Sequence, residues 1–248
     1  LIQFMIICFF LNFFEYRIGD IRVDLLSELF LNNYFSFFFT AICILILVNG
    51  SNFIDGSNGL NLGYFFLVLI ILQVLLNNGL ISLENEIVYV SLIAILFLLI
   101  LNFFNYLYLG DSGAYLISFI IGSILIKIYH YNQSISPYFL ALLLWYPAFE
   151  NLFSIIRKKV SKINPTDPDT NHLHHLIYLK FKNLKVFSNK NYINNFTGMT
   201  LNIYNLIVLT FAAFFLTNNK FQIMLIILNI SIYIFIYRKL IVSKKLRR

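Results

Sequence analysis

Charge is scarce in this 248-residue chain: Asp, Glu, Lys and Arg together make up 12% of it, where a soluble domain carries about a quarter. Hydrophobic residues make up 60%, and the mean hydropathy is +0.80. Those values exclude a disordered tail and a water-soluble enzyme. Residues 29–54, 56–83, 87–110, 128–149 and 191–219 contain no charged side chain at all. A bilayer core needs about 20 apolar residues per helix, and such continuous runs do not suit the alternating strands of a membrane barrel. Cysteine is nearly absent too. The two present, Cys8 and Cys43, lie in separate apolar runs, which excludes a disulfide scaffold and suggests buried thiols acting as small hydrophobes. The chain opens at Leu1 inside an apolar segment with no basic stretch before it. It reads as a chain lacking its natural N-terminus, not as one opening with a signal peptide.

The expected fold is therefore all-α, a polytopic transmembrane helical bundle forming a single domain over 1–248. The apolar runs predict about eight helices, near 1–14, 34–48, 60–77, 87–104, 113–129, 138–155, 199–217 and 221–237. Connections then alternate between two faces. One face receives 49–59, 105–112, the basic and histidine-bearing loop 156–198, and the tail after 237. Of the 18 Lys and Arg residues, all but Arg17, Arg22, Lys127 and Lys220 fall on that face. The excess predicts that it is cytoplasmic. The net charge of +7 is thus explained by orientation in a lipid bilayer, and no nucleic acid is expected as a partner. No solenoid repeat is visible, and the abundance of Asn, Phe and Ile reads as compositional drift.

Three polar constellations interrupt the apolar background, all on the predicted cytoplasmic face. The first runs from Asn49 to Gly63 and contains Asn52, Asp55 and Asn58 among four glycines; glycine lets a backbone approach a ligand, and amides both donate and accept. Its plain alternative is a Gly/Asn turn with one solvated acid. The second, Tyr106 to Tyr115, sets Asp111 between Gly110 and Gly113 at the start of a helix. A carboxylate so close to the apolar zone is costly unless paired or metal-bound. It suits Mg²⁺, whose shell takes one or two carboxylates plus water and phosphate oxygens; the alternative is a helix cap. The third runs from Asn164 to His175, with His172, His174 and His175 following a basic stretch that starts at Arg157. Zinc chelation and phosphate recognition both fit these histidines.

Two carboxylates, an imidazole cluster and a basic stretch at one face suit a Mg²⁺-assisted reaction of an anionic phosphate substrate, with Arg157 as a further substrate contact. A transporter would be expected to place its polar groups near the bilayer midplane. A non-catalytic transporter or assembly protein remains the alternative of another class. A CDP-alcohol phosphotransferase would need several Asp at a D-G-x-x-A-R spacing that this chain does not contain.

The three loops resemble signatures of the polyprenyl-phosphate N-acetylhexosamine-1-phosphate transferases, glycosyltransferase family 4. Asn52-Phe53-Ile54-Asp55-Gly56-Ser57-Asn58-Gly59-Leu60 resembles N-x-x-D-G-x-[DN]-G-L. Leu109-Gly110-Asp111-Ser112-Gly113-Ala114-Tyr115 resembles [ML]-G-D-x-G-[SA], and Asp167-Pro168-Asp169-Thr170-Asn171-His172-Leu173-His174-His175 resembles P-D-x-x-H-[IL]-H-H. The resemblance covers nearly the whole chain. It implies transfer of an N-acetylhexosamine 1-phosphate from a UDP-sugar to undecaprenyl phosphate, with release of UMP, at the cytoplasmic face of a bacterial inner membrane. By position, Asp111 matches the Mg²⁺ ligand and Asp55 a second functional acid. His172, His174 and His175 match the cluster that touches the donor. Asn52 matches a polar contact beside the acids, Tyr108 an aromatic that stacks on uracil, and Asn58 a position near the base where many members have Asp. Thr170 stands where Arg is common, and the stretch from Asn102 to Asp111 is one residue short. The order His-Leu-His-His resembles the branch that starts O-antigen, enterobacterial common antigen or teichoic-acid synthesis. Its alternative is the phospho-N-acetylmuramoyl-pentapeptide transferase branch of peptidoglycan synthesis. The family's paired Asp-Asp element would precede Leu1, and a homodimer is compatible with the sequence.

Overall fold

A computed structural model describes residues 2–162 and 171–245. Those residues form eleven helices: α1 (Ile2–Phe13), α2 (Asp24–Phe30), α3 (Asn33–Ile54), α4 (Leu60–Asn77), α5 (Asn85–Phe103), α6 (Gly110–Tyr131), α7 (Pro137–Leu143), α8 (Trp145–Val160), α9 (Leu173–Asn183), α10 (Lys190–Phe214) and α11 (Asn219–Lys245). No strand occurs among them, and the expected all-α bundle is borne out. Six of the helices (α3, α4, α5, α6, α10 and α11) are long and apolar enough to cross a membrane. Their outward surface fits that reading: Tyr89, Val90 and Phe97 on α5 and Ile227, Leu228 and Phe235 on α11 are all exposed. In water such a belt would drive association; in lipid it is the outer wall. Cys8 and Cys43 are unpaired, and both are half-buried rather than fully buried.

The structure departs from the predicted helix limits in several places; α10 begins at Lys190 rather than near 199, inside the predicted loop, and α11 runs on to Lys245 rather than ending near 237. The span expected over 138–155 is two helices, α7 and α8, bent by 77°. The cause is Pro147, which has no N–H to bond the carbonyl of Leu143 four residues earlier. The hydroxyl of Tyr64 on α4 donates to that carbonyl instead, at 2.9 Å. Helix α3 runs to Ile54 rather than ending near 48, so Asn49, Gly50, Ser51 and Asn52 are helical and the connection shrinks to 55–59. These polar residues are accommodated at helix contacts. Ser51 Oγ donates to Ala114 O at 3.0 Å, and Asn61 Nδ2 donates to Ser51 O at 2.8 Å. Gly50 lies so close to α8 that a Cβ there would sit 2.0 Å from the Pro147 carbonyl oxygen. Finally, two short helices, α2 and α9, occur where connections were expected.

Helix α8 inverts the usual amphipathic pattern. Its buried residues include Glu150, Asn151, Ser154 and Lys158, whereas Leu152, Ile155, Ile156 and Val160 are exposed. A helix with its polar face inward and its apolar face outward belongs beside lipid, with a polar interior to serve.

The two ends of the bundle are tied separately. At one end Arg22 donates to the Ile135 carbonyl at 2.7 Å, Asn132 Nδ2 donates to the Ser82 carbonyl at 2.9 Å, and Lys127 pairs with Glu84 at 3.2 Å. At the other end the 55–59 connection meets α9 through Gly56 and His174, and meets the 104–109 connection through Asn58 and Asn105. This segregation reproduces the alternation of connections expected from the apolar runs.

Candidate active site

Gly110, at φ +66°, begins α6 and turns the chain so that its amide hydrogen-bonds the Asp55 carboxylate across the gap from α3. The next residue, Asp111, accepts a hydrogen bond from Asn52 Nδ2 through Oδ1 at 2.7 Å. The ends of α3 and α6 therefore bring Asn52, Asp55 and Asp111 together, although Asn52 and Asp111 are 59 positions apart. Asp111 is exposed and Asp55 half-buried. Burial pushes the Asp55 pKa up from 3.8 to about 7; the Gly110 amide holds it down, and the nearby Asp111 carboxylate raises it further. Two carboxylates this close repel one another, and a hard dication between or beside them would relieve the repulsion.

The histidine cluster closes on the same loop. A Cβ at Gly56 would lie 2.3 Å from His174 Nε2, so the absence of a side chain there is what allows the contact. His174 is fully buried, and neither ring nitrogen has a hydrogen-bond partner. Burial lowers its pKa well below the usual value, aided by His175 and His172, so the ring is neutral. The His174 and His175 rings are 4.1 Å apart, His172 lies 5.9 Å from His174, and Phe53 packs 5.1 Å from His172. Beside this cluster a polar cavity of about 250 Å³ is lined by Gly56, Ser57, His175, Tyr178, Lys190 and Asn194, among others. No group of three or more His, Cys, Asp or Glu among the described residues could hold a metal ion. The Asp167-Pro168-Asp169-Thr170 part of the third signature lies outside the described residues.

The other expected site residues fall into different positions. Tyr108 is 76% exposed on the 104–109 connection, open to the face of the site. Asn58 is buried, and its Nδ2 donates to Asn105 Oδ1 at 2.6 Å and to Asn195 Oδ1 at 3.1 Å. Arg157, on α8, donates to the backbone carbonyl of Asn171 and, at 3.2 Å, to the Tyr237 hydroxyl, which braces the segment leading into His172.

Asparagine usage that reads as drift in the sequence turns out to be structural. Asn102 Oδ1 accepts from the Gly59 amide at 2.6 Å, and Asn202 Nδ2 donates to the Gly59 carbonyl at 2.8 Å. Asn195 Nδ2 donates to the Phe103 carbonyl at 2.9 Å. Together with Asn58 and Asn105 they lock the 55–59 loop to the 104–109 connection and to α10. Each amide replaces water for a backbone group that would otherwise be stranded near the apolar zone. Gly198 completes the seat, since a Cβ there would meet the Asn58 carbonyl oxygen at 2.4 Å.

Sequence reasoning also missed Glu150. Its side chain is fully buried, His172 Nδ1 lies 3.0 Å from Oε1, and the Tyr233 hydroxyl donates to Oε2 at 2.6 Å. A lone acid inside an apolar run, just before the basic stretch, was the available signal.

Comparison with known proteins bears on this arrangement. The family model described as "Glycosyl transferase family 4" matches residues 1–129. That is 129 of 248 residues, just over half the chain, and includes Asn52, Asp55 and Asp111 but not the histidines. The chain is also similar to a "Probable undecaprenyl-phosphate N-acetylglucosaminyl 1-phosphate transferase" of Bacillus subtilis (strain 168). They are 28% identical over 159 residues, which cover 62% of this chain and 43% of that protein. The chain thus spans less than half the length of that relative. No solved structure matches. With the Asn52–Asp55 and Gly110–Asp111 elements inside the matched region and joined in space, the chain belongs to glycosyl transferase family 4.

Proposed function

We propose that the protein transfers an N-acetylhexosamine 1-phosphate from a UDP-sugar to undecaprenyl phosphate, releasing UMP, with Mg²⁺ as cofactor. The observation that carries this reading is the convergence of Asn52, Asp55 and Asp111 with the histidine cluster at one end of a membrane bundle. That end carries most of the basic residues, which supports a cytoplasmic active face in a bacterial inner membrane. The similarity to the Bacillus subtilis protein supports the choice of lipid and sugar.

In such a transfer an oxygen of the acceptor phosphate bonds to the donor phosphorus that carries the sugar, and the bridging P–O bond to UMP breaks. Catalysis of this step is mostly positioning and charge neutralisation. Asp111 would hold the Mg²⁺, with Asn52 fixing the orientation of its carboxylate. When bound, the ion neutralises phosphate oxygens and the charge that grows on the departing UMP. Asp55 titrates near neutral pH and can hold or release a proton at its carboxylate as the substrates' charges arrive. His175, which lines the polar cavity, would give an N–H to a phosphate oxygen, with His172 and the buried His174 packed beside it. Tyr108, exposed on the 104–109 connection, would stack on a base.

The test is to supply purified protein in lipid with UDP-N-acetylglucosamine, undecaprenyl phosphate and Mg²⁺. UMP and lipid-linked sugar phosphate should form in equal amounts and stop on chelation. If no UMP appears with any UDP-N-acetylhexosamine, the reading fails.

A further inference from the structure

Glu150 lies on α8, fully buried, and its carboxylate meets three groups able to donate a hydrogen bond. Oε1 faces His172 Nδ1 at 3.0 Å and accepts from the Leu173 amide at 3.3 Å, while Oε2 accepts from the Tyr233 hydroxyl at 2.6 Å. Two of these partners, the Leu173 amide and the Tyr233 hydroxyl, donate to the carboxylate, as suits an ionised group that accepts from every neighbour, since a protonated one would need an acceptor of its own. The Leu173 amide can only donate, and the Tyr233 hydroxyl donates to Oε2. Against an ionised carboxylate, the remaining partner, His172 Nδ1, is the one that presents a proton to Oε1.

The surroundings hold this arrangement still. The Tyr233 ring packs edge-on against Phe149 at 4.9 Å and Phe153 at 5.2 Å, both on α8. Arg157, two turns after Glu150, bonds the carbonyl of Asn171 just before His172. Lys244 Nζ donates to Asn171 Oδ1 at 2.7 Å. Thus α8 and α11 together clamp the start of α9, and His172 is fixed by its backbone as well as by its ring.

We infer that Glu150 is a positioning residue that holds His172 with its proton on Nδ1, presenting Nε2 on the opposite edge of the ring to the phosphate chemistry. Which ring nitrogen carries the proton is set by the hydrogen bond the other makes. Outer carboxylates that orient a working histidine typically matter by about 10–100-fold. Tyr233 and the Leu173 amide serve this role indirectly by keeping the Glu150 carboxylate aimed. The kinetic part of this inference rests on the transferase reading; the structural part does not.

The experiment combines ¹⁵N-histidine NMR at pH 8 with steady-state kinetics. The chain has four histidines, so His172 is assigned by its loss in His172→Asn. In the wild type, His172 Nδ1 should be protonated. Glu150→Gln keeps an acceptor oxygen for Nδ1 and should preserve that proton while lowering kcat about 10-fold, with KM within twofold. Glu150→Ala removes the acceptor, and His172 should revert to the Nε2-protonated form with a kcat fall of up to about 100-fold. A wild-type His172 protonated only at Nε2 overturns the inference even if neither variant folds. Unchanged kcat in a folded Glu150→Ala also overturns it. A merely structural role would lower the melting temperature in both variants while leaving the His172 proton and kcat of the folded protein unmoved. If the wild type shows the Nδ1 proton but transfers no sugar phosphate, the transferase reading fails and the positioning of His172 by Glu150 stands.

Discussion

Gly56→Ala tests directly whether the aspartate loop and the histidine cluster share one site. The added methyl would lie 2.3 Å from His174 Nε2, where ordinary contact begins at 3.4 Å, so ring and loop must separate by about 1 Å. His174 is fully buried and cannot swing into solvent. Overpacking of this kind costs about 1–3 kcal/mol. A displacement near 1 Å between catalytic groups costs about 10²-fold in rate. The two effects separate in a double-mutant cycle. His174→Ala removes the ring that the methyl strikes, so Gly56→Ala should be much less destabilising in a His174→Ala background, with a coupling of about 1–3 kcal/mol in thermal or denaturant unfolding. Independent sites add to within about 0.5 kcal/mol. Additive unfolding energies, or a Gly56→Ala variant with normal stability and turnover, would mean that the two loops do not touch.

Three further outcomes follow from the geometry. Because the Asp55 pKa is raised from 3.8 to about 7, its contribution favours the fold below pH 4 and is lost as pH rises to 7; Asp55→Asn should be more stable than wild type by about 2–4 kcal/mol at pH 8 without Mg²⁺, and identical pH profiles of unfolding between 4 and 8 would contradict it. Tyr64→Phe strands the Leu143 carbonyl at the helix break and should destabilise the protein by about 1–3 kcal/mol; an unchanged melting temperature would show that another donor serves the break. Cysteines placed at Lys182 and at Glu86 should react with an impermeant reagent from opposite sides of sealed vesicles, and labelling of both from one side would reject the proposed orientation.

The sidedness of the bundle and the meeting of Asn52, Asp55 and Asp111 were legible in the sequence because both rest on local signals. Apolar runs fix which helix ends face the same way, and the Gly-flanked acids mark where those ends carry chemistry. What the sequence did not disclose depends on contacts between distant segments. The run 138–155 reads as one apolar helix, and Pro147 was the visible warning; the donor that tolerates the break, Tyr64, is more than 80 positions upstream of it. Asn49 to Asn52 look like a loop by composition, yet they are helical because α6 and α8 approach closely enough to satisfy or exclude them. Asn58 looked available for a ligand, but its amide donates to asparagines brought in from 47 and 137 positions away. Glu150 could not be told from an ordinary helix-end acid until His172 and Tyr233 were placed against it.

The central claim is that Asp111, fixed by Asn52, serves a Mg²⁺-dependent sugar-phosphate transfer. The most direct measurement is UMP release from UDP-N-acetylglucosamine, with undecaprenyl phosphate and Mg²⁺, by wild type and Asp111→Asn of equal thermal stability. Replacing the carboxylate with an amide keeps the shape and removes the charge that a dication needs. The wild type should turn over while Asp111→Asn loses at least about 10³-fold, the scale of about 4 kcal/mol of charge stabilisation. Turnover by a folded Asp111→Asn within tenfold of wild type would contradict the claim.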